Sequence, residues 1–419
     1  MSIEHPSARV AQDTAWQVPV GSALALAVGI GPIGLFTYGI LMAALSVQFG
    51  WSRASLGTAL ALCAFASAIA QPIVGIMMDK YGARRLLVGS ICLYAVNVAA
   101  LGLTESVLAF TLLMGLSGVT GAATSPIGYI KCVAGHFDRR RGLAIGVAML
   151  GIGAGSIVMP QLAQWLIGAF GVRTAYLGLA LAVVLVALPA VAFMVADPPA
   201  TPRGPDLSQV APGLTLREAL AHRSFWCICV SALLVSTAIN GALVHSVPLL
   251  VDRGWDAATA AKAFAAAGAA GLVSRLVAGF LMDRVFAPLV ATGFLILAMV
   301  GIYLLARGNA EVIGLATLGL ALGAEVDLVG YLVPRYFGVK RFGQIFGVLF
   351  AIVSLGSGLG PLLLGVAHTR FHNYELALIG CGTSLAVSCL LLLLVGPYVY
   401  APPGVLREAS VARRGGSAA

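Results

Sequence analysis

Apolar residues in this chain come in long runs with short polar punctuation, not at the three- and four-residue spacing of a helix that is half exposed to water. Twelve runs stand out, at approximately 18–47, 54–78, 85–104, 107–134, 142–168, 174–196, 225–250, 258–282, 286–306, 311–336, 343–368 and 376–398. Each comes close to or exceeds the roughly 20 residues that carry an α-helix across a bilayer. The pattern predicts an all-α integral membrane protein with twelve transmembrane helices. One long polar interruption, from Ala196 to Ser224, is rich in Pro, Gly and Asp and divides the chain into six spans and six spans. Within it, "TLREALAHR" has the composition of a short amphipathic helix at the inner surface. The domains expected are a first six-helix bundle over 1–196, a linker over 197–224, and a second bundle with its tail over 225–419.

Composition supports a membrane setting. The chain is 60% hydrophobic and only 10% charged, against about 25% charged in soluble globular domains. The net charge of +9 sits in short clusters between apolar runs, which fits membrane topology and gives no reason to expect nucleic acid. With both termini cytoplasmic, inner loops hold 17 of the 25 Lys and Arg residues and outer loops hold 6. That bias predicts a multi-pass protein of the cell inner (plasma) membrane with both ends inside. The seven cysteines lie mostly in apolar runs, and Cys227 and Cys229 have no His at a ligand spacing; they read as small apolar fillers and no metal is expected. The first seventeen residues lack the charged, apolar, cleavable order of a signal peptide.

The two halves repeat. "GWSRASLG" from Gly50 answers "GWDAATAA" from Gly254, and "GIMMDKYG" from Gly75 answers "GFLMDRVF" from Gly279, both at an offset of 204 residues. "FDRRRGLAIG" from Phe137 matches "FGVKRFGQIFG" from Phe337, and "IGYI" from Ile127 matches "VGYL" from Val329. Two similarly oriented six-helix halves are the expected form of a transporter whose site lies between them. The run Gly75-x-x-x-Asp79-Lys80-x-Gly82-x-Arg84-Arg85 resembles the loop between the second and third helices of the major facilitator superfamily, and Asp283-Arg284 is its degenerate second copy. "GIGAGSIVMP" (Gly151 to Pro160) is similar to that family's fifth-helix motif. The resemblance covers essentially the whole chain and implies the major facilitator fold of two six-helix bundles.

Within that family the second half resembles the monocarboxylate-transporter and oxalate–formate antiporter branch. His245, Pro248, Arg275, Gly279 and Asp283 occupy the His-x-x-Pro of its seventh helix and the Arg and Gly-x-x-x-Asp-Arg of its eighth. The chain departs from the branch in having no Lys in its first span, in placing Gly271 where an Asp precedes the Arg by four residues, and in lacking a second cation in its eleventh span. A single-cation site leans toward monovalent anions.

"GAEVDLVG" (Gly323 to Gly330) puts Glu325 and Asp327 inside an otherwise apolar run. A carboxyl group without water readily carries a proton, as proton symport requires; permanent pairing with Arg275 or Lys131 is the alternative. Asp327 shares a helix face with Gly323, Gly330 and Tyr331, a cavity-like stripe, whereas Glu325 points between helices. Arg275 lies about 12 Å from the inner end of its span at 1.5 Å per residue. It is read as a carboxylate clamp, because guanidinium presents a planar fork, or as a structural ion pair with Glu325 or Asp327. His245 and Asn240, with Tyr38, Tyr129 and Tyr331, complete the candidate substrate contacts, each of them also explicable by packing. Lys131 is read as snorkelling to the interface. Asp79, Lys80, Arg84 and Arg85, with Asp283 and Arg284, form a candidate inner gate.

These residues imply a secondary transporter that moves a small organic anion, a monocarboxylate, by alternating access with proton coupling, as a monomer and without cofactor. The alternatives are anion exchange of the oxalate–formate type and proton-driven drug efflux. An acid in the first span would favour efflux, and there is none. Enzymatic function is not expected: the chain shows no metal cluster, no Ser/His/Asp arrangement at one depth and no phosphate loop.

Overall fold

The computed structural model describes residues 16–138, 140–197, 213–371 and 373–400. Among them the architecture is all-helical. The first span is α1 (Gln17–Ala27) and α2 (Tyr38–Phe49), joined by a π-turn at Gly31–Phe36. Pro32 cannot donate a backbone N–H, so an unbroken ladder fails there. The second and third spans are α3 (Arg53–Tyr81) and α4 (Ala83–Gly102). The fourth is α5 (Val107–Thr120) and α6 (Pro126–His136), separated by a 3₁₀ turn with Pro126 opening the second piece. α7 (Arg141–Ala182) holds the fifth span and the start of the sixth, and the chain turns between them at Gly171, whose φ of 84° favours glycine. A π-turn at Val183–Ala187 and α8 (Leu188–Phe193) finish the sixth. After a short α9 (Leu216–Ala221), spans seven to twelve are α10 (Arg223–Asp252), α11 (Ala257–Met282), α12 (Ala287–Arg307), α13 (Glu311–Tyr336), α14 (Phe342–Phe371) and α15 (Glu375–Leu393).

The twelve runs read from the sequence thus appear as twelve crossings, with the first and fourth in two pieces because of Pro32 and Pro126. The expected short helix near the inner surface is α9, opened by a reciprocal capping box between Thr215 and Glu218. The terminal charges Arg9, Arg407, Arg413 and Arg414, together with Arg139, Arg203 and most of the expected linker, lie outside the described residues.

Small residues set how closely the two six-span sets meet. A Cβ at Gly75 would lie 2.0 Å from the Gly343 carbonyl oxygen, and one at Gly343 would lie 2.4 Å from that of Gly75. The second and eleventh spans therefore touch backbone to backbone. The fifth and eighth do the same at Gly142 and Gly279, where the corresponding distances are 2.3 and 2.4 Å. Both contacts lie toward the face carrying the turns at 82, 137–138, 283–286 and 337–341, here called the basic face. Within the second set, the eighth and tenth spans cross closely at Gly271, Gly319 and Gly323, which brings Arg275 and Asp327 onto facing helices.

The basic face is stitched further by the chain around the tenth span. Leu214 N–H donates to Phe337 at 2.8 Å, Tyr400 N–H to the Arg335 carbonyl at 2.9 Å, and Tyr336 Oη to Gly396 at 2.6 Å. These bonds satisfy carbonyls that the end of a helix leaves free.

Candidate functional site

Two places in the molecule bring charge into otherwise apolar packing. The first is the contact of the eighth and tenth spans. Arg275 Nη1 donates to Asp327 Oδ1 at 2.9 Å, with Asp327 fully buried and Arg275 12% exposed. The second oxygen of Asp327 is buried with no hydrogen-bond partner. The Arg275 carbonyl is also where the eighth span meets Gly146 of the fifth, at 2.4 Å from a Cβ built there. The pair therefore sits at the seam between the two sets. At Gly271, where the resemblance implies an acid, a side chain would approach the Gly319 carbonyl at 3.2 Å. The acid facing Arg275 comes instead from the neighbouring helix.

Glu325, two residues away, takes a different environment. It accepts a hydrogen bond from the Ser236 hydroxyl of the seventh span and borders a small apolar cavity between the seventh, ninth, tenth and twelfth spans, with Phe294, Leu295 and Leu392 among its lining. Glu325 thus points between helices of one set, as its helical offset from Asp327 implies.

The remaining candidate substrate contacts are spread out. Tyr38 Oη donates to the Leu56 carbonyl at 2.7 Å, tying the first span to the second. Tyr129 is fully buried and its hydroxyl has no partner. Tyr331 is buried beneath the Arg335 guanidinium, 5.4 Å from its ring centroid. Asn240 bonds back to Ser236 of its own helix at 3.0 Å. Half-buried His245 contacts Tyr374 Oη at 3.2 Å and the Pro361 carbonyl at 2.9 Å, so both ring nitrogens serve contacts within the second set.

The second charged place is the basic face between the sets. Asp79, at the end of the second span, accepts from the backbone N–H groups of Gly343 and Gln344, both at 3.0 Å. It caps the N-terminus of the eleventh span, where unpaired N–H groups favour an anion. Asp283, 204 residues on, accepts from Gly142 and Leu143 at 2.7 and 2.9 Å and caps the fifth span. The glycine contacts explain how these acids reach: only Cβ-free residues let the helix ends come so near. Lys131 does not snorkel as its depth suggested. Its Nζ lies 2.8 Å from Asp79 Oδ1 and 2.7 Å from the Met78 carbonyl, because that carboxylate is nearer than the interface and needs a counter-charge. Lys80, Arg84 and Arg85 are exposed; Lys80 lies over the Tyr81 ring, Arg84 bonds the Ala192 carbonyl within its own set, and Arg284, in the turn after α11, stacks on Phe280 of that helix.

Several residues escaped the sequence reading, most of them at the seam. Arg335, 3% exposed, donates to Asp138 Oδ1 at 2.8 Å and to the Asp138 carbonyl at 2.9 Å, across the two sets. Arg141 approaches the same carboxylate oxygen at 3.4 Å. Gln71 Nε2 donates to Ser354 Oγ at 3.1 Å, again across the sets. Asp197 caps the third span through Ala83 and Arg84 N–H, at 2.6 and 3.1 Å. Arg335 carried a usable signal, since it stands 204 residues after Lys131, the offset that relates Asp283 to Asp79. Among the described residues no His, Cys, Asp and Glu group is arranged to hold a metal ion.

Among the described residues, the polar contacts between the two sets are thus Asp79, Asp283, Asp138–Arg335 and Gln71–Ser354, all toward the basic face. This face is closed.

Comparison with known proteins agrees with this architecture. The Major Facilitator Superfamily profile matches residues 24–326. The chain is 28% identical over 411 residues to monocarboxylate transporter 11 of Homo sapiens, covering 93% of this chain and 83% of the relative. It is 28% identical over 320 residues to monocarboxylate transporter 13 of Bos taurus, covering 75% and 74%. A crystal structure of the Major Facilitator Superfamily transporter FucP in the outward conformation superposes with a TM-score of 0.71 at 16% identity, over 91% of this chain and 99% of that one. With twelve apolar crossings in two sets, paired acid caps at the seam and a family match over most of its length, this chain belongs to the Major Facilitator Superfamily of membrane transporters.

Proposed function

We propose that this transporter carries a small monocarboxylate together with a proton, with Arg275 as the cation that receives the carboxylate and Asp327 as the group that receives the proton. The observation that supports the reading is the Arg275–Asp327 pair itself: one guanidinium nitrogen on one carboxylate oxygen at 2.9 Å, at the seam between the halves. The relatives named as monocarboxylate transporters support the cargo class.

Charge bookkeeping at the pair gives the coupling. Empty, the site holds one cation and one anion and is neutral. Protonation of Asp327 frees Arg275 Nη1 for the cargo carboxylate, and with anion and proton both bound the site is neutral again. Cargo alone would leave an excess negative charge, and a proton alone an excess positive one. Either is costly in a water-poor seam, so the carrier reorients only when empty or when doubly loaded. Asp79 and Asp283 hold the basic face, assigned to the cytoplasm by the charge bias, while the opposite side admits cargo. When those caps release, the same neutral load is offered to the other side.

Arg275→Lys keeps the charge but loses the planar fork. A charge-assisted hydrogen bond contributes roughly 1.5–3 kcal/mol, so carboxylate affinity is expected to fall about tenfold or more. Arg275→Ala combined with Asp327→Asn removes both charges and regains stability without regaining carboxylate binding. Thermal-shift titration of the purified protein with a panel of carboxylates reads both effects. Parent-like affinity in a folded double variant would remove Arg275 from the site.

A further inference from the structure

The two acid caps of the basic face match between the halves, but the cations beside them do not bond alike. Asp79 and Lys131 of the first half stand 204 residues before Asp283 and Arg335 of the second. Asp79 caps the facing helix and at the same time pairs with Lys131 at 2.8 Å. Asp283 caps its facing helix in the same way. Arg335, in Lys131's place, reaches instead across the seam to Asp138.

At this corner a buried arginine stands with an acid in each half, Arg141 with Asp138 in the first and Arg335 with Asp283 in the second, while Arg140 and Arg284 beside those acids are exposed. In the closed arrangement both acids serve the opposite half. Asp138 neutralises Arg335, while Asp283 sits on the N-terminus of the fifth span, within electrostatic reach of both Arg141 and Arg335. If the halves part, Asp138 stays near Arg141, three residues on along the chain, and Asp283 loses its cap. Arg335, 3% exposed in the closed arrangement and with an unpartnered Nε, would then lose the acid that neutralises it. Its backbone is held by Tyr400 and its neighbour Tyr336 by Gly396, so the side chain is what can move. The acid of its own half within electrostatic reach is Asp283, the repeat counterpart of the Asp79 that pairs with Lys131.

We propose that Arg335 exchanges acids during transport: it latches the closed basic face through Asp138 and, when that face opens, takes Asp283 as Lys131 takes Asp79. Arg335 is then a positioning residue that stabilises both ends of the conformational change. The proposal rests on alternating access and is independent of which cargo is carried.

The test is a distance measurement without substrate. Spin labels at Tyr81→Cys and Lys340→Cys, two exposed positions on opposite halves of the basic face, are placed in a cysteine-free background and read by pulsed electron resonance in nanodiscs. Asp138→Asn removes the ion pair of the latch and leaves the bond to the backbone carbonyl, and the ratio of long to short distances is expected to rise about tenfold, the weight of one charge-assisted bond. Adding Arg335→Gln to Asp138→Asn then removes the stabilisation of the open face, and the ratio is expected to fall back. Adding Arg335→Lys preserves the exchange, and the ratio stays high. Should Arg335→Gln not fold, Arg335→Met keeps the stem packed on Tyr331 and carries the same expected sign. An unchanged or higher ratio on removing the Arg335 charge in the Asp138→Asn background would show Arg335 to be a latch alone, and no shift with Asp138→Asn would remove the latch as well. Failure of carboxylate binding would leave these distances unaffected, so the cargo assignment and the exchange fail separately.

Discussion

Asp327 and Glu325 differ by two residues and by everything that surrounds them. Asp327 faces a cation that has 12% of its side chain open to water and lies at the seam; Glu325 faces a serine and an apolar cavity inside one half. Under the proposed coupling, only the first would feel both a cargo anion and the change of access. Asp327→Asn leaves the empty site with the Arg275 charge uncompensated, while the site loaded with an anion is neutral. The empty carrier should fail to return. Accumulation driven by a pH gradient is therefore expected to be lost while exchange of labelled for unlabelled cargo persists, both read in proteoliposomes. Glu325→Gln keeps a hydrogen-bonding partner for Ser236 and is expected to keep accumulation. If the two variants behave in the reverse way, Glu325 is the proton site.

At the scale of helices, closure of the basic face depends on paired absences of a side chain. Gly75 against Gly343 and Gly142 against Gly279 pack so closely that a Cβ at any of them would lie 2.0–2.4 Å from the facing carbonyl oxygen, and the acid caps work only at that closeness. Gly343→Ala is expected to hold the second and eleventh spans apart and pull Asp79 off its two N–H groups. Loss of a cap costs about 1 kcal/mol, and the steric term adds to it. Reactivity of a cysteine at Ser354, which faces Gln71 across the seam, should rise several-fold toward reagents on the basic side. Unchanged reactivity would mean that the contact is not what closes the face. Asp79→Asn is expected to act in the same direction more weakly, because the amide oxygen can still accept one bond. These helices were legible in the sequence because a bilayer imposes length and apolarity on every crossing. The breaks at Pro32 and Pro126 were marked by proline, and Asp79 and Asp283 by repetition at one offset. The partners of the acids were not legible. Which helix end faces Asp79, or that Asp138 answers Arg335 from 197 residues away, depends on how the halves dock, and no local pattern encodes that. Lys131 shows the limit most clearly, since its depth alone suggested the interface when a buried carboxylate stood within 2.8 Å.

For the whole molecule, the distribution of charge decides which way the closed face points. The sequence assigns seventeen Lys and Arg residues to the loops of one side and six to those of the other, and short loops rich in Lys and Arg stay in the cytoplasm. The closed face with Asp79, Asp283 and Asp138 is the basic one, so the arrangement described here is proposed to open outward. Single cysteines at Lys340 or Arg217 on the basic face, and at Ser106 or Asn309 on the opposite face, all exposed, make the orientation measurable. The native cysteines must first be removed, because Cys92 is exposed. In intact cells a membrane-impermeant maleimide is expected to label positions 106 and 309 and to label 340 and 217 only after permeabilisation. Labelling of 340 or 217 in intact cells would invert the molecule. The caps and the Arg335 latch would then close the outer side, and a cargo bound to Arg275 in this arrangement would have entered from the cytoplasm. The direction in which a proton gradient drives the carrier would not change with that inversion, because the neutral loaded and neutral empty states allow return from either side. Orientation and coupling are therefore separable: labelling fixes which side is closed, and the Asp327 variant fixes what the proton does.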